Sequence, residues 1–399
     1  MQVFKLKNGL TVLYDKKKSN SVCLNALVKV GSNNESSNEK GVSHFLEHIL
    51  FEGTKHFTTR ALANEIEKVG GEINAATSNE RTFYYTLVPK NHVEKAFKVI
   101  SDILINPLFN AKAIEKEREV IVSEIKMLHD EPRHLQWILL QQNLFEKNKA
   151  KYPVYGSIKS VQSLTRQKII NYYRKHYLAN NTTLSVVGEV PNVKALVSKY
   201  FSSFRSSKLE PYKFVEESLQ KSVKKIVVDK KTEHSYLLIG YKASPFTKKD
   251  AYTFEVIEGI LGRGQSSRLF DEIRIKRGLA YSVGAVYEAN LDFGFFAIHL
   301  NTDAKNLEEC KKIVLDQFKL KNLTQKELQE AKDYVEGNFL IKNEDNKEKA
   351  DNNAFFSMVG KSSPEYIKNI RKVTLNDVKK AVKAYFNGNY TQILIKQKL

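Results

Sequence analysis

The sequence predicts an α+β protein made of two similar domains, each an antiparallel-rich sheet with helices packed on one face. Three observations lead there. At 399 residues the chain exceeds what one ordinary hydrophobic core organises, so two domains are the natural reading. Strand-like alternation is mixed with helical periodicity, without the strict strand–helix–strand succession of a parallel sheet. The second half also repeats the plan of the first, as an internal duplication does. The polar, weakly patterned stretch 206–222 reads as a linker between domains 1–205 and 223–399.

Residues 1–14 read as strand, turn, strand, and further alternating segments predict strands at 23–30 and 82–88. Apolar residues at spacings of three and four predict helices over 41–52, 58–69, 91–104, 110–130, 133–147 and 165–176. A strand at 183–188 completes the first half. In the second half, strand 235–241 and helix 252–261 lead into a Gly/Ser stretch at 262–267 and a basic helix through 268–276. Strands 282–289 and 293–300 then mirror the pair around 71–88. Helices near 305–319, 325–342, 346–358 and 375–386 precede a final strand at 391–395.

Hydrophobic content of 42% and charged content of 27% place the chain among water-soluble globular proteins. No apolar run approaches the length of a membrane span, and the start lacks the apolar core of a secretory signal. Cys23 and Cys310 are the only cysteines and lie in different halves, which excludes a disulfide framework and fits a reducing cytoplasm. The net charge of +19 is spread over both halves. Such an excess favours acidic partners or nucleic acid. No stacking-aromatic motif or recognition helix accompanies it, so it reads as solvated lysine faces, and no nucleic-acid partner is expected.

The chemistry concentrates at His44-Phe45-Leu46-Glu47-His48. Val42, Phe45, Leu46, Ile49 and Leu50 supply the buried sides of a short helix ending near Gly53. Residues three and four apart share a helix face, so His44, Glu47 and His48 point into one space. Two neutral imidazoles can hold a zinc ion there, and the carboxylate can handle a proton. The spacing is that of the inverted zincins.

Catalytic zinc usually takes three protein ligands. On the helix at 110–130, the stripe Ile114, Glu117, Ile121, Glu124, Leu128 carries two carboxylates along an apolar face. Burying a carboxylate without a partner is costly, so these two point to a metal or a hydrogen-bonding histidine. Periodicity leaves open which of them is the ligand. The remaining histidines, at 56, 92, 129, 134, 176, 234 and 299, have no comparable spacing and read as surface or satisfied core.

The run His44-Phe-Leu-Glu-His-Ile-Leu-Phe-Glu-Gly-Thr54 resembles the pitrilysin (M16) metallopeptidases, most closely the bacterial type of the mitochondrial-processing-peptidase-like (M16B) branch. So do Gly70-Gly-Glu-Ile-Asn-Ala75 with Thr77 and Thr82-Phe-Tyr-Tyr85, Glu117–Glu124, and the segment from Ser266 to Ser282. The resemblance runs essentially end to end. It implies a LuxS/MPP-like fold and one zinc ion per chain, with His44, His48 and Glu124 as ligands. In that family the ligand glutamate follows the second histidine by the same interval as separates His48 from Glu124.

Carried over in the same way, Glu47 is the general base, and Glu117 is a carboxylate that supports a ligand imidazole. Asn74, Ala75 and Ala76 form the edge to which a substrate peptide adds as a strand. Arg274 and Tyr281 are substrate contacts from the second domain. The expected activity is zinc-dependent endopeptidase cleavage of peptides or unfolded segments in a clamshell chamber. The alternative is a non-catalytic scaffold or assembly subunit on the same fold. The resemblance also implies pairing, as a homodimer or with a sister M16 subunit. A cytoplasmic location with no membrane partner is expected.

Overall fold

A computed structural model of the chain describes residues 1–398. The first half runs β1 (Gln2–Lys5), β2 (Thr11–Asp15), β3 (Ser21–Val28), α1 (Val42–Ile49), α2 (Thr59–Glu67), β4 (Glu72–Thr77) and β5 (Thr82–Pro89). It continues through α3 (Val93–Ile105), α4 (Ala111–Asp130), α5 (Pro132–Leu144), α6 (Ile158–Ser163), α7 (Arg166–His176), β6 (Thr182–Val187) and α8 (Val193–Phe201). The second half opens with β7 (Lys224–Lys230), β8 (Ser235–Lys242), α9 (Ala251–Gly262), β9 (Ala280–Ala289) and β10 (Gly294–Thr302). It closes with α10 (Leu307–Gln317), α11 (Gln325–Lys342), α12 (Asn346–Met358), α13 (Ser363–Lys372), α14 (Leu375–Tyr385) and β11 (Thr391–Gln397). No helix among the described residues is long and apolar enough to cross a membrane.

The duplication is visible in the sheets. The first has the order β1-β2-β6-β3-β5-β4 and the second β7-β11-β8-β10-β9. Strands β2 to β6 thus occupy the places of β7 to β11 one for one, and β1 is an added edge strand. In each sheet the corresponding pair, β2–β6 or β7–β11, is parallel, and the other neighbours are antiparallel. The fold is α+β, as the mixed periodicities predict.

The two compact units are not continuous in sequence. One comprises Met1–Ile125, Tyr152–Tyr212 and Ile341–Ser363, and the other Lys126–Lys151, Lys213–Leu340 and Pro364–Leu399. A linear division into 1–205 and 223–399 therefore leaves out an exchange of helices. Helix α5 from the first half packs on the second sheet, where Leu140 and Leu144 meet Leu238, Phe295, Ala297 and Ile393. Gly240 makes room for it, since a Cβ there would lie 2.8 Å from Leu140 Cδ1. Reciprocally, α12 from the second half lies on the first sheet, where Ala350 packs with Cys23, Tyr85 and Val187.

Side chains alternate between faces along a strand. Leu238 and Gly240 thus meet α5, while Tyr241 stacks on the other face with Phe318 and Phe386. Both faces of β3, β6 and β8 are buried for this reason.

The expected linker, 206–222, contains neither helix nor strand, and the chain changes unit after Tyr212. Its buried Glu217 accepts from Lys242 Nζ at 2.9 Å and from the backbone N–H groups of Glu146, Lys147 and Asn148. A carboxylate so satisfied fixes the chain that follows α5. The basic segment expected as a helix over 268–276 is helical, and most of it is a π-helix, Phe270–Ile275. Strand β7 and helices α6, α8 and α13 are additional to the sequence expectation.

Candidate metal centre

Helix α1 starts at a fixed point. Gly41 precedes it with φ of 90°, and a Cβ at Gly41 would lie 2.5 Å from the Tyr155 carbonyl oxygen. The buried carboxylate of Glu35 accepts from the backbone N–H groups of Gly41 and Ser43, both at 2.9 Å, satisfying donors the helix leaves open. Val42, Phe45, Leu46 and Ile49 are buried, which leaves His44, Glu47 and His48 half-buried on the remaining face.

Helix α4 approaches with Ile114, Glu117, Ile121 and Ile125 buried. Glu117 Oε2 lies 3.1 Å from His48 Nδ1, so the carboxylate holds one ring nitrogen and leaves Nε2 free to face elsewhere. One turn pair further on, Glu124 Oε2 lies 3.7 Å from His44 Nε2 and 3.6 Å from His48 Nε2. The two imidazole rings meet edge to face at 4.7 Å.

Those separations are too long for hydrogen bonds. Tetrahedral zinc with ligand bonds of about 2.0–2.1 Å holds neighbouring donor atoms roughly 3.4 Å apart. The donor atoms of His44, His48 and Glu124 all lie within 4.8 Å of one another, and among the described residues this is the group placed to hold a metal ion. Glu124 Oε2 is buried without a hydrogen-bond partner, as is His44 Nδ1. An oxygen orphaned between two imidazole nitrogens fits a cation.

The electrostatics agree. Burial, reinforced by the neighbouring His48, pushes His44 down to about 4 despite the nearby Glu124. His44 is therefore the neutral imidazole a metal requires. Burial works against a charged His48, but the carboxylates of Glu124 and Glu117 outweigh it and hold this ring above its usual value. His48 beside it keeps Glu124 below the usual carboxylate range, against the opposing effect of burial.

Burial raises the carboxyl of Glu47, with the Thr77 hydroxyl acting in the opposite direction. Thr77 Oγ1 donates a hydrogen bond to Glu47 Oε2. Thr77 is the last residue of β4, the strand that carries Asn74, Ala75 and Ala76. In the first sheet β4 pairs with β5 on one side and is the sheet edge on the other. The Asn74 side chain is exposed and takes the Ala75 N–H at 2.8 Å. Sequence reasoning did not give Thr77 a role. Its signals are its place at the end of the Asn-Ala-Ala strand and its part in the run that resembles the M16 family.

Arg274 and Tyr281 come together in the second unit. Arg274 Nη1 donates to the Tyr281 carbonyl oxygen at 3.1 Å, and its guanidinium lies over the rings of Tyr281 at 4.7 Å and Phe270 at 4.8 Å. The Tyr281 side chain is among the most exposed aromatics, at 76%.

Comparison with known proteins finds a family match in each half of the chain. Residues 11–157 match the family described as insulinase (peptidase family M16), and residues 163–335 match the peptidase M16 inactive domain. A Rickettsia felis protein named as an uncharacterised zinc protease is 36% identical over 313 residues, spanning 77% of this chain and 74% of its own length. The chain belongs to peptidase family M16. This M16 chain is also 28% identical over 402 residues to the uncharacterised zinc protease YmxG of Bacillus subtilis, covering 98% of one and 96% of the other. A solved protease from Helicobacter pylori shares its fold with a TM-score of 0.92 at 24% identity, covering 99% of both chains. The M16 chain shares that fold, and its candidate metal-binding group lies within the residues matched to the insulinase description.

Proposed function

We propose that this M16 protein is a zinc-dependent endopeptidase of peptides or unfolded segments. The observation that carries the reading is the convergence of His44, His48 and Glu124 beside a half-buried Glu47. His44, His48 and Glu124 would hold one zinc ion per chain. Bound there, zinc supplies Lewis acidity, polarising the scissile carbonyl and acidifying the attacking water.

The chain's own residues do the rest. Glu117 accepts the His48 Nδ1–H, which would leave Nε2 to bind the metal. Glu47 takes a proton from the water and returns it to the leaving amine. Its burial makes it a stronger base than a solvated carboxylate. The edge at Asn74, Ala75 and Ala76 holds substrate through backbone hydrogen bonds, which suits peptides of varied sequence. Arg274 and Tyr281, paired on the second unit, are assigned to contacts with the substrate, supported by the exposure of the Tyr281 side chain and its stacking with Arg274.

The reading extends to the mitochondrial-processing-peptidase-like branch and to pairing with a second copy or a sister M16 chain, supported by the run of branch-like motifs through Ser282. It keeps a cytoplasmic setting, supported by the buried free thiols of Cys23 and Cys310. The test is hydrolysis of an internally quenched unstructured peptide. Activity that a chelator removes and stoichiometric zinc restores supports the reading. Fully zinc-loaded protein that leaves a broad panel of such peptides intact refutes it.

A further inference from the structure

The Thr77–Glu47 hydrogen bond joins the helix of the candidate metal ligands to the edge strand of the first sheet. Glu47 stands on α1, and Thr77 ends β4. A glutamate carboxylate has rotamer freedom about three side-chain bonds. A hydroxyl fixed to a paired strand restricts it. Thr77 is held in register opposite Thr82, whose own hydroxyl donates to the Val30 carbonyl at 2.9 Å, so this end of the sheet is anchored. Thr82 and Val30 are fully buried. Thr77 is itself β-branched, which limits its hydroxyl to few orientations.

We propose that Thr77 is a positioning residue that aims the Glu47 carboxylate and ties it to the peptide-docking edge strand. Asn74, Ala75 and Ala76 directly precede Thr77 on β4. A strand that receives a peptide backbone therefore also carries the donor that orients the base. Displacement of β4 would displace the base with it, so productive register along the edge and alignment of Glu47 are set by one element. The inference rests on the reading of the site as a peptide hydrolase, which gives Glu47 its task.

Thr77→Val removes the hydroxyl while keeping the β-branched shape a strand favours, and Thr77→Ser keeps the hydroxyl. All are compared with wild type for zinc content, kcat and KM on one quenched peptide at one pH. The expected result is full zinc content and KM within about twofold for Thr77→Val. Its kcat is expected to fall roughly 10- to 100-fold, as for loss of a hydrogen bond to a charged group. Thr77→Ser should recover most of that loss. If Thr77→Val melts at assay temperature, Thr77→Ala replaces it in the comparison.

A kcat within twofold of wild type, a loss confined to KM, or a Thr77→Ser variant as slow as Thr77→Val overturns the proposal. Cobalt(II)-substituted protein provides an arm that needs no turnover. The visible band of the bound cobalt should shift in Thr77→Val and return in Thr77→Ser, because Glu47 shapes the surroundings of the metal. If wild type proves inactive on peptides, the hydrolase reading falls and this arm alone decides whether Thr77 positions Glu47. Superimposable wild-type and Thr77→Val spectra then overturn it.

Discussion

Glu117 Oε2 lies 3.1 Å from His48 Nδ1, so a carboxylate on one helix sets the orientation of an imidazole on another. The Glu117 side chain is only 9% exposed, and His48, with Lys116 Nζ at 3.6 Å on the other oxygen, gives that buried carboxylate its partners. The His48 contact also settles which nitrogen of His48 turns toward Glu124.

Glu117→Gln should weaken zinc binding by about 10- to 100-fold, because the amide orients the ring less firmly and leaves it less basic. Competition against a chromophoric chelator measures this. Unchanged affinity would mean that Glu117 serves packing alone.

Arg274→Ala and Tyr281→Phe should each lower kcat/KM, by roughly 10- to 100-fold where a substrate contact is lost, with zinc content unchanged. Steady-state kinetics beside metal analysis separates the two. Loss of zinc in either variant would contradict the assignment of this pair to substrate.

The exchanged helix α5 should contribute heavily to the stability of the second unit. Leu140→Ala leaves a cavity beside Gly240 in a cluster where Leu140 has no exposed surface. The expected loss is about 2–5 kcal/mol by denaturant unfolding. A change below 0.5 kcal/mol would show, on the same scale, that α5 is only loosely docked.

An acid-sensitive contact lies at the start of α11. Arg268 holds Glu327 through contacts of 2.8 and 3.0 Å, and the Thr324 N–H and hydroxyl donate to the same carboxylate. The Arg268 guanidinium lowers the Glu327 carboxyl from 4.5 to about 2. Because the folded-state value lies below the unfolded one, the stabilisation is present above about 4.5 and is lost as pH falls toward 2. The pair is partly solvated, so the effect is on the order of 1 kcal/mol. Glu327→Gln should be less stable than wild type at pH 7, and by a clearly smaller difference at pH 2.5. An equal difference at both pH values would contradict the linkage.

Much of this was legible in the sequence because the informative signals were local. The three-and-four spacing put His44, Glu47 and His48 on one face, and a stripe of the same period put Glu117 and Glu124 on another. Repetition of strand order predicted two like sheets. The exchange of α5 and α12 was not legible, because an apolar stripe such as Leu140 and Leu144 specifies that a helix is covered and not which sheet covers it. Strand β7, Lys-Lys-Ile-Val-Val-Asp-Lys, is an edge strand with alternating exposure, and its charges hid it beside the polar linker. The role of Thr77 depends on a contact across 30 residues that no periodicity records.

The most direct measurement of the central claim joins metal analysis to a quenched-peptide assay on wild type and Glu47→Gln. Wild type should carry one zinc per chain and cleave the peptide. Glu47→Gln should carry the same zinc and turn over about 100- to 10,000-fold more slowly. Near-native turnover by zinc-loaded Glu47→Gln would contradict the account, since the carboxylate beside the metal would then have no part in the reaction.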